Sequence, residues 1–169
     1  MKRIMKPALL TVAIAIGLSA CATAKKSSDY DLDFSKQSGS AKTMQVNGET
    51  VAYRAYENIV YVQKPVDTVY QSINIYIPEA YFNGGSINGF TAETAPIFFP
   101  NQVGGYMPGK PGEPGKAGFG PSTGKADAMQ VALSQGYIVA SPGARGRTSS
   151  SGKAPAAIVD LKAAVRYLK

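Results

Sequence analysis

The chain of 169 residues contains no histidine, no tryptophan and a single cysteine. Without histidine, this stretch cannot build a His-dependent acid–base pair or most zinc sites. With Cys21 alone, it cannot close an intrachain disulfide. Acidic residues are few, 11 against 18 Lys and Arg, for a formal charge of +7. Part of that excess sits at the amino end, where Lys2, Arg3 and Lys6 precede any acid. The rest is mild and dispersed. It lacks the dense basic stripe and aromatic readers of a nucleic-acid protein, so no nucleic-acid partner is expected. No metal and no cofactor is implied. The apolar run Ala8 to Leu18 is too short to span a bilayer comfortably.

What is present begins with an address. A basic start, the apolar run and then Leu18-Ser19-Ala20-Cys21 follow in order. This resembles the bacterial lipobox, in which the cysteine is lipidated and becomes the first mature residue. The resemblance implies residues 1–20 as a signal peptide and a lipid membrane as a partner through acylated Cys21. It also implies a cell-envelope location, on the outer membrane or periplasmic face if the cell has one. Residues 21–42 are rich in Ser, Lys, Asp and Gly without apolar period, and read as a flexible tether.

From residue 43 onward the chain reads as one domain, with 44% hydrophobic residues overall. Asn47-Gly48 predicts a tight hairpin between Met44-Gln45-Val46 and Thr50-Val51-Ala52-Tyr53. Ile59 to Val62 is a further β-prone run. Val69 to Ile77 alternates, with Ile73, Ile75 and Ile77 on one side and Ser72, Asn74 and Tyr76 on the other. Ile97-Phe98-Phe99, apolar on both faces, predicts a central buried strand. A Gly/Pro-rich surface loop, Tyr106 to Gly124, is expected to lie over a site. It holds three collagen-like triplets, too few for a triple helix.

A helix is then expected over Ala126 to Gln135, with Met129, Ala132 and Leu133 inward and Gly136 as its stop. Its N-cap would be Ser122 or Thr123. Tyr137 to Ser141 reads as the next buried strand, closing an α-to-β step of a parallel sheet. A last helix from about Pro155 places Ile158, Leu161, Val165 and Leu168 on one face, expected to be buried. Asp160, among Lys and Arg on that helix, reads as a surface ion-pair partner.

The apolar run before Asn101-Gln102-Val103-Gly104-Gly105-Tyr106 stops at a glycine turn. Such a turn can point backbone N–H groups at an anion. The ordered series is an entry hairpin, the Ile73 strand, this turn, a helix, the Tyr137 strand and the Ile158 helix. It resembles the N-terminal part of an α/β-hydrolase of the carboxylesterase, feruloyl esterase and bacterial tannase type. The fold class is accordingly α/β. It is an incomplete mixed sheet of four or five strands with an antiparallel N-terminal hairpin and flanking helices. The resemblance implies that Gly104 and Gly105 supply oxyanion N–H groups, in the place where that family often has His-Gly-Gly-Gly. Tyr106, Arg145 and Arg147 are substrate-loop candidates.

The family's nucleophile lies in Gly-x-Ser-x-Gly on the strand after the last helix, with its acid and histidine later still. All three would fall beyond Lys169. The resemblance thus implies a fragment of a serine ester hydrolase, truncated before the nucleophile strand and inactive alone. A small-molecule ester would be bound only by the full-length parent. The alternative from another class is a non-enzymatic envelope lipoprotein that binds a ligand or partner.

Some motifs are decoys. Gly120-Pro121-Ser122-Thr123-Gly124 spells Gly-x-Ser-x-Gly, but a loop rather than a buried strand precedes it, so Ser122 is a poor nucleophile. Ser122-Thr123-Gly124-Lys125 and Ser150-Ser151-Gly152-Lys153 spell Ser-x-x-Lys, yet the Lys-Thr-Gly partner of penicillin-binding proteins is absent. Gly104 to Lys110 imitates a phosphate loop, but Pro111 stands where a Mg²⁺-binding Ser or Thr is needed.

Overall fold

The computed structural model describes residues 29–116 and 125–169. The lipobox with Cys21 and the decoy serine Ser122 lie outside those residues.

The fold is α/β, an open five-stranded mixed sheet with two helices. Strand β1 (Ser40–Val46) turns through Asn47-Gly48 into β2 (Glu49–Val60). Both turn residues have positive φ, 52° and 88°, which gives the hairpin a twist matching its strands. β2 pairs with β3 (Ser72–Pro78), and its register slips between Tyr56 and Ile59. That bulge lets Ile59 and Val60 continue the strand that the sequence shows as two runs. Next in chain order come β4 (Ile97–Phe98), helix α1 (Ala128–Ser134), β5 (Ile138–Pro142) and helix α2 (Lys153–Tyr167). The spatial order is β1-β2-β3-β5-β4, with only β4 and β5 parallel.

The two helices cover opposite faces. α1 packs Met129, Ala132 and Leu133 against Tyr53, Tyr76 and Val139. α2 packs Ala164 against Ile59, Tyr61, Ile73, Ile75 and Ala140. β3 is therefore sandwiched, and both sides of its alternation are buried. The polar side survives burial because its groups are bonded. Asn74 accepts from Asn58 N at 2.8 Å and donates to Gly112 O at 3.1 Å, and the Tyr76 hydroxyl donates to Gly112 O at 3.2 Å.

Several expectations are corrected. Ile97-Phe98 is not a central strand. Among the described residues it is the sheet's edge, and Ile97 is 48% exposed. The ordered fold also reaches back before residue 43. β1 starts at Ser40, Phe34 packs on Tyr56 at 4.9 Å between ring centroids, and Tyr30 N donates to Gln63 O. One aromatic ring and one backbone bond tie this polar stretch to the domain, and from Ser40 it is strand rather than tether.

The N-cap of α1 is Asp127, in a reciprocal capping box with Gln130, rather than Ser122 or Thr123. α2 begins at Lys153, and its buried face is only partly the expected one. Ala156, Ala157, Asp160 and Ala164 face inward and Leu168 packs against the core, while Leu161 is half-buried and Ile158 and Val165 are exposed. Small alanine side chains let the helix lie close to the sheet, and Asp160 meets a buried arginine beneath it.

Candidate functional site

The segment after β4 is held from three directions. The Ser141 hydroxyl accepts from Gly112 N and donates to Pro100 O, tying both limbs of the loop to β5. Gly109 and Ala144 exchange both backbone bonds, at 3.0 and 2.8 Å. Arg147 N donates to Tyr106 O at 2.7 Å. The expected surface loop forms, from Gly109 to Gly112, a strap fastened to β5 and its following turn, with both glycines buried and Lys110 exposed. Its residues 117–124 are outside the described ones.

Within this frame Gly104–Tyr106 forms a single tight turn. Tyr106 N donates to Val103 O and Met107 N to Gly104 O, which closes it. Among the described residues the Gly104 and Gly105 N–H groups make no hydrogen bond, and both residues are exposed. Gly105 and Tyr106 are both left-handed, with φ of 62° and 59°. Glycine takes that conformation freely, whereas a tyrosine there is strained by about 1–2 kcal/mol. Strain of this kind persists only where the surroundings over-determine it, and it clusters at functional turns. Successive N–H groups in such a concavity suit an oxygen anion.

The turn after β5 closes the frame from the other side. Gly146 is buried against the backbone of Tyr106 to Pro108. A Cβ there would sit 2.5 Å from Met107 C and closer still to Pro108 N and Tyr106 O. The turn is clamped to α2 by one carboxylate. Asp160 Oδ2 accepts from Arg145 N at 3.0 Å and Nε at 2.9 Å. Asp160 Oδ1 accepts from Arg145 Nη2 at 2.8 Å and from Gln71 Nε2 at 2.9 Å. Both carboxylate oxygens are thus saturated by a bidentate guanidinium, a backbone amide and a side-chain amide. The hydrogen bond to Asp160 holds the Arg145 guanidinium above its ordinary value. Tyr61 adds a bond to Gly143 O at 2.8 Å, and burial pushes its phenol well up.

The predicted residues divide accordingly. Gly104, Gly105 and Tyr106 stand together at the carboxyl end of β4. Arg147 stands beside them, exposed, with Nε donating to Met107 Sδ at 3.2 Å. Arg145 does not join them as a substrate-loop residue. It is 8% exposed and engaged by Asp160 through Nε and Nη2 and by Ser151 Oγ through Nη1, and Asp160 is itself 1% exposed and no surface partner. Both belong to the scaffold because the turn must be fastened to α2 through an otherwise apolar layer. Asn74, Ser141 and Gln71 were missed as positioning residues. Their only sequence signal was a polar side chain inside or flanking a strand.

Beside the turn, Tyr106, Ala154, Pro155, Ile158 and Val159 line an open apolar groove of about 440 Å³. A second, polar concavity of about 410 Å³ lies at the β2 bulge, between Glu57, Asn74, Lys110 and Glu113. It does not include the glycine turn.

No family model and no curated protein matches the chain. Solved structures do. The chain is 55% identical to the tannase of Fusobacterium nucleatum, with a TM-score of 0.77 over 83% of this chain and 30% of that one. The native tannin acyl hydrolase of Lactobacillus plantarum is 43% identical, with a TM-score of 0.68 over 78% of this chain and 29% of that one. A tannin acyl hydrolase in complex with ethyl gallate is also 43% identical, with a TM-score of 0.69. The chain therefore shares fold and sequence with tannases, and it spans about 30% of the length of the Fusobacterium enzyme.

Proposed function

We propose that this chain is the oxyanion-bearing part of a serine ester hydrolase of the tannase type and does not turn over ester alone. The observation that carries the reading is the left-handed pair Gly105 and Tyr106 beyond β4, with no hydrogen bond from the N–H groups of Gly104 and Gly105 among the described residues. Two such donors would stabilise the developing negative charge of a tetrahedral intermediate. The chain's own residues hold that turn still, through Ser141, Arg147 and Gly146. The nucleophile and its base come from the larger part of the fold that this chain does not match. The similarity to tannin acyl hydrolases points to aromatic acyl esters as the substrate class.

The test is a single-polypeptide chimera, in which this chain replaces the matching region of the Fusobacterium tannase. Ethyl gallate should be hydrolysed. Gly104→Pro, which removes one donor, should lower kcat by roughly 10²–10³-fold with little change in KM. Ser122→Ala should change nothing. A chimera that folds but is dead, or turnover of ethyl gallate by this chain alone, refutes the reading. Envelope anchoring is a separate part of the proposal, supported by the order of residues before Cys21. Palmitate labelling of the full chain in a bacterial host should vanish in Cys21→Ser.

A further inference from the structure

We propose that the turn beyond β2, from Lys64 to Val69, is a docking surface for a lipid bilayer and directs that end of the sheet towards the membrane. The inference rests on the anchoring part of the proposed function, not on its ester chemistry, and names the surface that the anchor brings to the lipid.

The reach of the chain supplies the first argument. Tyr30 N donates to Gln63 O at 2.9 Å, and Asp29 lies 3.8 Å from Lys64 Nζ. The amino-terminal segment is thus fastened just beyond the end of β2. The stretch from Cys21 to Tyr30 spans at most about 32 Å even when fully extended. The 12 residues of β2 alone cover about 35 Å, and the Asn47-Gly48 hairpin lies at their other end. An acyl anchor at Cys21 therefore cannot reach the hairpin, and it keeps the end of β2 near the lipid. β2 runs antiparallel to β3, and β3 antiparallel to β5. The anchored end is accordingly the carboxyl end of β5 as well, where the Gly104–Tyr106 turn stands.

The surface chemistry agrees. Val66 and Val69 are 66% and 53% exposed, and Tyr30 is 42% exposed. A fixed turn presents the two valines. Buried Gln71 accepts through Oε1 from Val66 N at 2.7 Å and from Asp67 N at 3.0 Å. Gln71 N donates to Asp67 O at 2.8 Å, and Asp67 Oδ1 accepts from Val69 N at 3.0 Å. The turn thus holds two bulky apolar side chains out in water, which is unfavourable unless an apolar phase receives them. Lys64 is exposed beside them, and exposed Lys110 lines one concavity with Thr68 and Val69. Of the nearby acids, Asp29 and Glu113 are paired with Lys64 and Lys116, and Asp67 is bonded within its own turn. Apolar and aromatic side chains set among lysines suit the boundary between acyl chains and phosphate headgroups.

The test reads proximity to lipid rather than activity. The full chain is made with its leader in a bacterial host, labelled with palmitate and reconstituted into vesicles of phosphatidylethanolamine and phosphatidylglycerol. Acylation of Cys21 leaves an introduced cysteine as the free thiol of the chain. A fluorophore on Val69→Cys should be quenched by nitroxide on the upper acyl chain at least about threefold more than one on Glu49→Cys, at the hairpin. Adding Val66→Asp to Val69→Cys should remove most of that excess. Each variant should keep the circular dichroism and urea midpoint of the parent, since the altered side chains are exposed. The proposal is overturned by equal quenching at the two positions, by stronger quenching at the hairpin, or by an excess that Val66→Asp leaves intact. Energy transfer between copies labelled at Val69→Cys, marking self-association through the turn, overturns it too. Palmitate on the parent with equal quenching keeps the anchor and sinks the docking surface. A parent without palmitate sinks both.

Discussion

Asp160 offers the sharpest test of what holds the site's frame in place. Its carboxylate is 1% exposed and accepts four hydrogen bonds, three of them from Arg145 and one from Gln71. Bonds to charged groups are worth about 1.5–3 kcal/mol each, but four on one carboxylate do not add. The better measure is the cost of stranding a buried charge, about 3–5 kcal/mol when one partner is removed. Asp160→Ala and Arg145→Met should each lose that much. Domains of ordinary size have about 5–15 kcal/mol in total, so either change removes a large share.

The pair Arg145→Met with Asp160→Leu removes both charges and refills the space. It should lose less than the two single variants together, because only Gln71 Nε2 and the backbone N–H of residue 145 are left without their acceptor, at about 1–3 kcal/mol each. The coupling between the sites is then about 4 kcal/mol at the middle of these ranges. Urea unfolding followed by far-ultraviolet circular dichroism and tyrosine fluorescence measures all four corners of the cycle. The denaturant slope should stay constant. A loss below about 1 kcal/mol in Asp160→Ala, or additive single variants, would refute the claim that this carboxylate fastens the turn to α2.

Three further outcomes follow from the same geometry. Gly146→Ala must push its Cβ into the backbone of Tyr106 to Pro108, so it should destabilise by about 1–3 kcal/mol and speed hydrogen exchange at the Arg147 amide. Gly105→Ala meets open space and is limited to the left-handed penalty of about 1 kcal/mol, leaving the urea midpoint only slightly lowered. Burial raises the Tyr61 and Tyr76 phenols, so the folded state holds those protons more tightly than the unfolded chain. Their contribution is full below an unfolded pKa of about 10 and is lost as pH rises towards the folded values. Tyrosinate absorbance for these two should appear only together with alkaline unfolding.

Local chemistry was legible in the sequence where it decided the outcome alone. Asn47-Gly48 fixed the hairpin, and Gly136 ended α1 with the expected left-handed φ. Ile73, Ile75 and Tyr76 took opposite faces as alternation requires. The failures arose where the partner decided. β4 is an edge because β5 inserts between β3 and β4, and no local pattern encodes strand order. Of the periodic Ile158, Leu161, Val165 and Leu168, read as a buried face, Leu168 packs on the core and Leu161 is half-buried, but Ile158 and Val165 point out. Only the close approach of Ala157 and Ala164 to the sheet, and the demand of Arg145 for a carboxylate, turned α2 away from it. Arg145 and Asp160 both drew notice, but separately and on the wrong grounds. The two groups that form this one ion pair stand fifteen positions apart in the sequence.

The same rotation of α2 links stability to function. A helix that buried Ile158 and Val165 would satisfy the hydrophobic effect within this chain, but it would carry Asp160 away from Arg145. The turn after β5 would lose its fastening, and with it the contact of Gly146 and Arg147 with Tyr106. As the molecule stands, α2 spends its alanines and its one buried acid on the sheet and leaves its bulky β-branched residues outward. Unpartnered apolar surface is tolerable only if something covers it. The face left open on α2 borders the groove that ends at Tyr106, and β4 is open beside it. On the proposed function, anything that covers α2 would lie beside the turn of Gly104 and Gly105, so Ile158→Lys in the chimera should lower turnover of ethyl gallate without touching either glycine.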